Sequence, residues 1–395
     1  MKKNLHIFNP DNDLALAYGL ENYTPPAHAT RLKHDLSLLP LWYAEGENPC
    51  TLQYFDGDCS EWLQQISEHL DICTDIVKLK DLQTFDGTFT PWGWSADMRK
   101  RLIDNGVSTV MLPDTDKITR IRDLSHRRTS ILIHRKLNEE YGLHLSPVPV
   151  ELTKFEEVLD FALKYPKCFT KAPWSSSGKG IFRVLDINAL DFSRWISGIL
   201  SRQSSIICEQ PLDKVLDFAM EFTLTDGIAK FAGYSVFKND NHCSYDLGIV
   251  AGDNSLRAII NEHLADKTIL DKVSAALENI ISEIVGDAYD GYLGVDMILY
   301  HTECGEISVN PCIEMNLRMT MGMVTNILAK RYLAEGKTGT YHIEFFKNTK
   351  LLKTRAEEIA TVSPVKYSGR RIASGTQILN PVLPDSRYLA YMKAD

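Results

Sequence analysis

Two neighbouring apolar segments constrain the fold of this chain most, because each has the pattern of a strand and each carries a carboxylate. Tyr292–Tyr300 and Glu306–Glu314 flank the polar segment His301–Gly305, and this pattern predicts an antiparallel hairpin. Asp296 is the one charged residue in the first apolar segment. A turn centred near residue 303 would place Asp296 opposite roughly residue 310.

The second segment supplies further oxygen ligands on the same face. Residues two apart on a strand share a face, so Asp296, Glu314 and Asn316 are expected to point to one side. Two carboxylates and an amide, without His or Cys, form a hard-oxygen site of the kind that binds Mg²⁺ together with substrate phosphates. Arg318 can approach the same face. The alternative is a pair of edge-strand acids that face water.

A loop of small residues lies upstream between two predicted strands, Cys168–Ala172 and Gly180–Leu185. Such a loop exposes backbone N–H groups that can close over phosphates, although its spacing is not that of a Walker A motif. Lys171 enters the loop on an apolar strand and can reach an anion beneath it. A plain hairpin loop and a surface-facing lysine are the alternatives. The candidate loop residues are Ser176, Ser177, Gly178, Lys179 and Gly180.

A further strand, Ser205–Glu209, leads into Gln210, Pro211 and Leu212. This segment can offer backbone groups to a purine, and Glu209 can bind the purine amino group or a ribose. Glu221 begins an apolar hairpin around Asp226-Gly227, a strong type I′ turn signal.

The first ~120 residues predict a small open α/β sheet, with strands at Leu5–Phe8 and Val107–Leu112 and a helix at Glu61–Leu70. The polar segment Asn9–Asp13 follows the first strand. Ligands of open α/β sheets bind beyond the carboxyl ends of strands, so this segment is a candidate substrate site. A plain Asx/Pro turn that caps the next helix is the alternative.

Helices are predicted in three other places. Ser125–Tyr141 is a basic helix that ends at Gly142. Thr153 and Glu156 form a capping box for a helix that reaches about Lys164. A long amphipathic helix is expected over Ile260–Val285, whereas the tail beyond about residue 331 holds one more helix and segments without a clear assignment.

Composition limits the classes of function. A length of 395 residues indicates two or three domains, and a net charge of -9 argues against sequence-independent nucleic-acid binding. Since no run of about 18 apolar residues occurs, and Asn9 and Pro10 interrupt the first apolar stretch, we expect neither a membrane span nor a secretory signal. The eight cysteines form no C-x-x-C pair.

Taken in order, these segments resemble the ATP-grasp superfamily over about residues 125–325. The Glu314–Arg318 segment resembles the E-x-N-x-R run of biotin carboxylase-like and carbamoyl-phosphate-synthase-like members, and Glu221–Leu224 resembles a strand of D-alanine ligase-like members. The matching segments are Phe169–Pro173, Gly178–Ile181, Ile207–Leu212, Glu221–Leu224, Gly294–Asp296 and Glu314–Arg318.

The resemblance implies a mixed α/β (α+β) fold: a small open N-terminal α/β domain followed by a two-subdomain ATP-grasp fold. The expected boundaries are 1–120 for the N-terminal domain, 121–208 and 209–330 for the two subdomains, and 331–395 for a C-terminal extension. The second subdomain would carry the metal site.

The resemblance also implies roles for residues in an ATP site. Lys171 would contact the phosphates beneath the loop, and Glu209–Leu212 would form the adenine hinge with Glu221 on the ribose. Members carry a basic residue about 40 positions before the strand lysine. Arg127 and Arg128 both fit, and Arg128 is taken as the phosphate contact. Asp296, Glu314 and Asn316 would hold one or two Mg²⁺ ions, and Arg318 would steady the transferred phosphoryl group.

The activity implied is that of an ATP- and Mg²⁺-dependent ligase that activates a small-molecule carboxylate for attack by an amine or another nucleophile. Mn²⁺ is a substitute metal, and the expected location is cytoplasmic. Small-molecule substrates, with neither nucleic acid nor membrane as partner, are expected, and a homodimer is left open. A small-molecule kinase, a non-catalytic nucleotide-binding module and a structural partner protein are the alternatives.

Overall fold

Three β-sheets organise the chain, which a computed structural model describes over residues 2–175, 180–239 and 245–395. The first sheet contains β1 (Lys3–Ile7), β2 (Asn48–Gln53), β3 (Asp75–Lys78) and β4 (Gly87–Pro91). The strands run parallel in the order β3-β2-β1-β4. The accompanying helices are α1 (Asn12–Tyr18), α2 (Ala27–Asp35), α3 (Ser60–His69) and α4 (Ala96–Asp104). This arrangement confirms the predicted small open α/β sheet.

One predicted strand of this region is wrong. Val107–Leu112 contains a single 3-10 turn at Thr109–Met111 rather than a strand. Val107 and Leu112 are buried, but in a strand these positions, five residues apart, would lie on opposite faces. Val110, which would share a face with Leu112, is 90% exposed, so neither face would be continuously buried. Two helices follow, α5 (Thr115–Leu124) and α6 (Arg128–Tyr141). The second ends at Gly142 in the left-handed conformation, as its sequence predicts.

The second sheet, which packs against its own small hydrophobic core, carries Lys171 at the end of one strand. Its strands are β5 (Val150–Leu152), β6 (Phe169–Lys171), β7 (Ile181–Arg183) and β8 (Ile206–Glu209), in the antiparallel order β5-β8-β6-β7. Its helices are α7 (Phe155–Lys164) and α8 (Leu190–Gln203). The predicted α7 is confirmed, but its cap is not, because Lys154 takes the N-cap position without a side-chain cap.

The third sheet carries the hairpin with the two acids. Its strands are β9 (Asp213–Thr225), β10 (Ile228–Asn239), β11 (Tyr245–Ala251), β12 (Gly291–His301), β13 (Ile307–Asn316), β14 (Thr338–Phe345), β15 (Lys366–Ser368), β16 (Arg371–Ile378) and β17 (Tyr388–Ala394). Their order is β13-β12-β9-β10-β11-β14-β17-β16-β15. The C-terminal strands, which had no clear assignment in the sequence analysis, therefore extend the sheet that bears the acids.

The helices of this region are α9 (Asp253–His263), α10 (Ile269–Val285), α11 (Met321–Tyr332) and α12 (Thr349–Val362). The single helix predicted over Ile260–Val285 is wrong. Asp266 accepts hydrogen bonds from the backbone and the hydroxyl of Thr268, and this local turn separates α9 from α10. The β9/β10 turn has positive φ at both Asp226 and Gly227, as a type I′ turn requires.

A register shift in the β12/β13 pairing brings the two acids face to face. Ile298 pairs with Asn310, whereas Asp296 pairs directly with Glu314. Three residues of β13 thus lie opposite a single residue of β12, and Pro311, which has no N–H to donate, lies in this irregular stretch. The predicted hairpin is confirmed, and the predicted alignment of Asp296 with residue 310 is wrong.

No helix in the described part of the chain has both the length and the apolar character that crossing a bilayer requires.

Candidate active site

Two carboxylates and an amide of the β12/β13 hairpin lie together on one face of the third sheet. Asp296 and Glu314 are opposed across the ladder, and Asn316 lies two residues further along the same strand as Glu314. The side-chain amide of Asn316 donates to Asp296 Oδ2 at 3.1 Å. The structure therefore brings the three predicted metal ligands together.

The charge state of this trio suits a divalent cation. Burial, together with the negative charges of Glu314 and Glu221, raises the pKa of Asp296 to about 7. Within the described residues, no three His, Cys, Asp or Glu side chains form a metal site by themselves. A metal here would therefore complete its shell with the Asn316 oxygen, water or substrate phosphates, as Mg²⁺ usually does.

Arg127, at the start of α6, connects Glu314 of the hairpin to the segment that follows β6 and leads into the small-residue loop. Its Nη2 donates to Glu314 Oε2 at 2.9 Å, while its Nη1 donates to the Ala172 carbonyl at 2.6 Å and to Ser175 Oγ at 2.8 Å. The Arg127 side chain is 4% exposed. One guanidinium thus fixes the strand that enters the loop against the strand that carries Glu314.

Lys171 lies on β6 as predicted and points toward the end of β8. Its Nζ lies 2.6 Å from Glu209 Oε1, and both side chains are largely buried. Both residues contribute to the electrostatics of Cys312: burial raises the pKa of its thiol, Asp296, Glu314 and Glu209 raise it further, and Lys171 lowers it. The Lys171–Glu209 pair and the hairpin acids therefore lie around one buried position.

Arg318 extends from the end of β13 to the N-terminal sheet. Its Nε donates to both oxygens of Asp13, at 2.8 and 2.9 Å, and its Nη2 lies 2.7 Å from Asp13 Oδ2. The same Nη2 donates to Asn316 Oδ1 at 2.9 Å. Burial lowers the pKa of Arg318, but Asp13, Glu314 and Asp296 outweigh it, so the pKa lies above the usual value. Through Arg318, Asp13 of the segment predicted as a substrate site is therefore connected to Asn316, one of the predicted metal ligands.

A cleft of about 310 Å³, open to solvent, lies between these elements. Its walls come from α1, from the segment that follows β6 and from β13 with the residues after it. The lining residues are Asn12, Asp13, Leu16, Ser125, Trp174, Ser175, Glu314, Met315, Asn316, Leu317 and Arg318. Trp174 was not singled out from the sequence, although it lies in the small-residue loop segment. Its indole stacks beneath the Arg122 guanidinium at 3.8 Å.

The predicted phosphate loop is described only at its ends. Ser176, Ser177, Gly178 and Lys179 lie outside the described residues. Gly180 packs so closely that a Cβ there would lie 2.2 Å from Ser175 Cβ, which explains why this position is glycine. The predicted hinge, Gln210–Leu212, connects β8 to β9 with Pro211 exposed.

Arg127, rather than Arg128, contacts residues that line the cleft, namely Ser175 and Glu314. The Arg128 side chain is 57% exposed and lies 3.2 Å from Glu151, on the side away from the hairpin acids. Its Nη2 also contacts the ring of His126 at 2.9 Å. Adjacent residues at the start of a helix point in different directions, so only one of the two arginines can face the loop strand.

Glu221 does not reach the cleft, which leaves its predicted ribose contact without support from this placement. It lies on the same face of the sheet as Asp296 but is 1% exposed beneath the start of α11. Its carboxylate accepts from Ser235 Oγ and Thr320 Oγ1, each at 2.8 Å. A Cβ at Gly322 would lie 2.1 Å from the same carboxylate, so a glycine is required there.

We predict that Glu221→Gln stabilises the protein at alkaline pH. Burial raises the pKa of Glu221 from 4.5 to about 7, so the folded state holds this proton more tightly than the unfolded state. Stability therefore falls as the pH rises from the unfolded pKa to the folded pKa, and the loss is complete above it. The variant should gain roughly 1–3 kcal/mol in urea unfolding at pH 8 and little at pH 4.5. Exposed Glu262→Gln is the control, and an equal gain at both pH values would contradict the prediction.

Comparison with solved structures identifies the fold to which this site belongs. N5-carboxyaminoimidazole synthetase from Staphylococcus aureus, complexed with ADP, superposes with a TM-score of 0.50 and 14% identity over 99% of this chain and 93% of that chain. Biotin carboxylase from Campylobacter jejuni, in a β,γ-ATP complex, gives 0.53 and 12% over 100% and 87%. The chain has an ATP-grasp fold.

A third ATP-grasp structure is similar over the same extent. The biotin carboxylase domain of Hydrogenobacter thermophilus 2-oxoglutarate carboxylase, a dimer in complex with MgADP, ADP and bicarbonate, has a TM-score of 0.54 and 12% identity over 100% of this chain and 86% of that chain. No protein-family model matches the sequence, and no curated protein matches it either. At identities this low, the comparison establishes the ATP-grasp fold and nothing finer.

Proposed function

We propose that this ATP-grasp protein is an ATP- and Mg²⁺-dependent ligase that activates a small-molecule carboxylate. The observation that carries the proposal is the clustering of Asp296, Arg127 and Lys171 behind the cleft that Glu314 and Arg318 line. Four carboxylates, which include Asp13 and Glu209, lie among these three cations, of which Arg127 and Lys171 are buried. Such a site can accept both a divalent cation and a polyphosphate.

Each cation has a position suited to a phosphate group. Lys171 is the last residue of the strand that enters the loop, and Arg127 donates to the next residue, Ala172, so both would bind ATP phosphates beneath the loop. Glu209 and residues 210–212 would hold the adenine. Mg²⁺ bound by Asp296, Glu314 and Asn316 would neutralise charge on the phosphates.

The reaction proposed is formation and capture of an acyl phosphate. An oxygen of the substrate carboxylate attacks the γ-phosphorus of ATP, and the bond from that phosphorus to the leaving ADP oxygen breaks. An amine, or another nucleophile, then attacks the acyl carbon, loses a proton and expels inorganic phosphate. Arg318 would stabilise negative charge during the transfer, since its guanidinium lies beside the metal ligands.

The acceptor site would lie where the N-terminal sheet meets the metal face. Asn12 and Asp13 line this side of the cleft. The four predicted domain ranges, Mn²⁺ as a substitute metal, a homodimer and a cytoplasmic location stay predictions.

An ADP-release screen tests the proposal. The full chain is assayed with Mg·ATP and pairs drawn from panels of small carboxylates, amino acids and amines, and products are followed by mass spectrometry. A ligase yields ADP, phosphate and a condensed product that lacks phosphorus. A stable phosphorylated product would favour the kinase alternative, whereas calorimetry that detects no Mg·ATP binding would overturn any ATP-dependent function.

A further inference from the structure

Arg127 binds one carboxylate oxygen of Glu314, a predicted metal ligand. Its Nη2 lies 2.9 Å from Glu314 Oε2, and Glu314 is directly opposite Asp296 in the strand pairing. A cation held between the two carboxylates would face the Arg127 guanidinium across the shared Glu314 carboxylate. The arginine and a divalent cation therefore compete for the same carboxylate.

The guanidinium is held where it is by the loop strand. Its Nη1 donates to the Ala172 carbonyl and to Ser175 Oγ, so the Glu314 contact is one of three that share a rigid, planar group. Its buried Nε has no hydrogen-bond partner within the described residues. A buried guanidinium with a spare donor can accept a further anion without leaving the cleft.

Charge decides which species can displace this contact. A bare divalent cation that approaches Glu314 meets the positive Arg127 at close range, in a site where burial strengthens the repulsion. A nucleotide polyphosphate brings the opposite charge and supplies Arg127 with a new partner. Glu314 is then free to bind the cation that accompanies the phosphates.

We propose that the Arg127–Glu314 pair is a latch that couples metal binding to nucleotide binding, so that the metal enters the site together with the nucleotide. This inference rests on the proposed Mg·ATP function. Since coupling is reciprocal, the latch opposes metal alone and favours nucleotide with metal. Removal of Arg127 therefore shifts the two affinities in opposite directions.

The experiment titrates Mn²⁺ alone into the nucleotide-free full chain and measures free Mn²⁺ by electron paramagnetic resonance. Arg127→Gln should bind Mn²⁺ about tenfold more tightly than the wild type. Arg128→Gln is the matched control, because Arg128 is the adjacent arginine and pairs with Glu151 outside the cleft. It should stay at the wild-type affinity. The double variant Arg127→Gln/Glu314→Gln should lose the gain, because the freed carboxylate is absent.

A second titration with Mn·ADP separates the latch from the proposed function. Arg127→Gln should bind Mn·ADP about tenfold more weakly, because a phosphate contact is lost. Failure of the wild-type chain to bind Mn·ADP overturns the proposed function, whatever the metal-only titration gives. If Arg127→Gln does not unfold cooperatively, Ser175→Ala replaces it, since it removes one anchor of the guanidinium and should tighten Mn²⁺ binding by about two- to threefold. Mn²⁺ affinity that is unchanged, weaker or undetectable in the folded variant overturns the latch.

Discussion

Asp296→Asn and Glu314→Gln are each expected to lower Mg²⁺-dependent ATP turnover at least about a hundredfold. Each substitution keeps the shape of the side chain but replaces an anionic ligand with a neutral amide, which binds Mg²⁺ poorly. The two positions face each other across the β12/β13 ladder, so either change removes half of the carboxylate charge of the metal face. Turnover is measured as ADP release at saturating Mg·ATP.

Stability distinguishes this loss from unfolding. Glu314 and burial raise the pKa of Asp296 in the folded protein, which means that the paired charges disfavour folding near neutral pH. Asp296→Asn should therefore have a melting temperature equal to or above that of the wild type. Glu303→Gln, an exposed acid in the turn of the same hairpin, is the control and should keep full turnover. Wild-type turnover in both site variants would contradict the metal assignment.

The sequence predicts those parts of the fold that depend on local patterns. The β12/β13 hairpin, the type I′ turn at Asp226-Gly227 and the end of α6 at Gly142 all follow from periodicity or turn chemistry, and all are confirmed. The break between α9 and α10 was missed because the side chain of Asp266 competes with a helix pattern that continues past it. Apolar periodicity alone does not record such competition.

Positions in the site depend on contacts that no local pattern contains. The register shift that opposes Asp296 to Glu314 inserts residues into one strand, and a count from the turn cannot reveal it. Which of Arg127 and Arg128 faces the cleft depends on how α6 packs against β13. The contact of Asp13 with Arg318 joins residues far apart in sequence, so the sequence identified Asp13 by its place after β1 but not its partner.

The burial of Glu221 is another property that no local sequence pattern predicts. Its place at the start of an apolar strand and its resemblance to a family strand both favoured a ligand contact. In the structure the carboxylate is buried beneath α11 with Ser235 and Thr320 as partners, and the ribose contact stays a prediction. Only the packing of a helix from another part of the chain decides between these two outcomes.

Lys171→Met is expected to weaken Mg·ATP binding by about 10- to 100-fold. The Lys171 side chain is 6% exposed within β6, and methionine retains most of its packing. Affinity should fall because, in the proposed site, the buried Lys171 ammonium at the entrance of the loop binds a phosphate directly. Lys154→Met, at an exposed lysine before α7, is the control. Affinity is measured by calorimetry with the non-hydrolysable β,γ-imido analogue of ATP.

The same variant should also destabilise the protein, which confounds the interpretation of binding unless the two effects are separated. Removal of Lys171 leaves Glu209 largely buried without its cation, at a cost of roughly 3 kcal/mol in the free energy of unfolding. The double variant Lys171→Met/Glu209→Gln removes the unpaired charge, so most of that stability should return. Nucleotide affinity should not return, because the proposed phosphate partner is still absent and Glu209, a proposed adenine contact, has also lost its charge. If affinity recovers together with stability, Lys171 supports the fold of the second sheet and does not bind ATP.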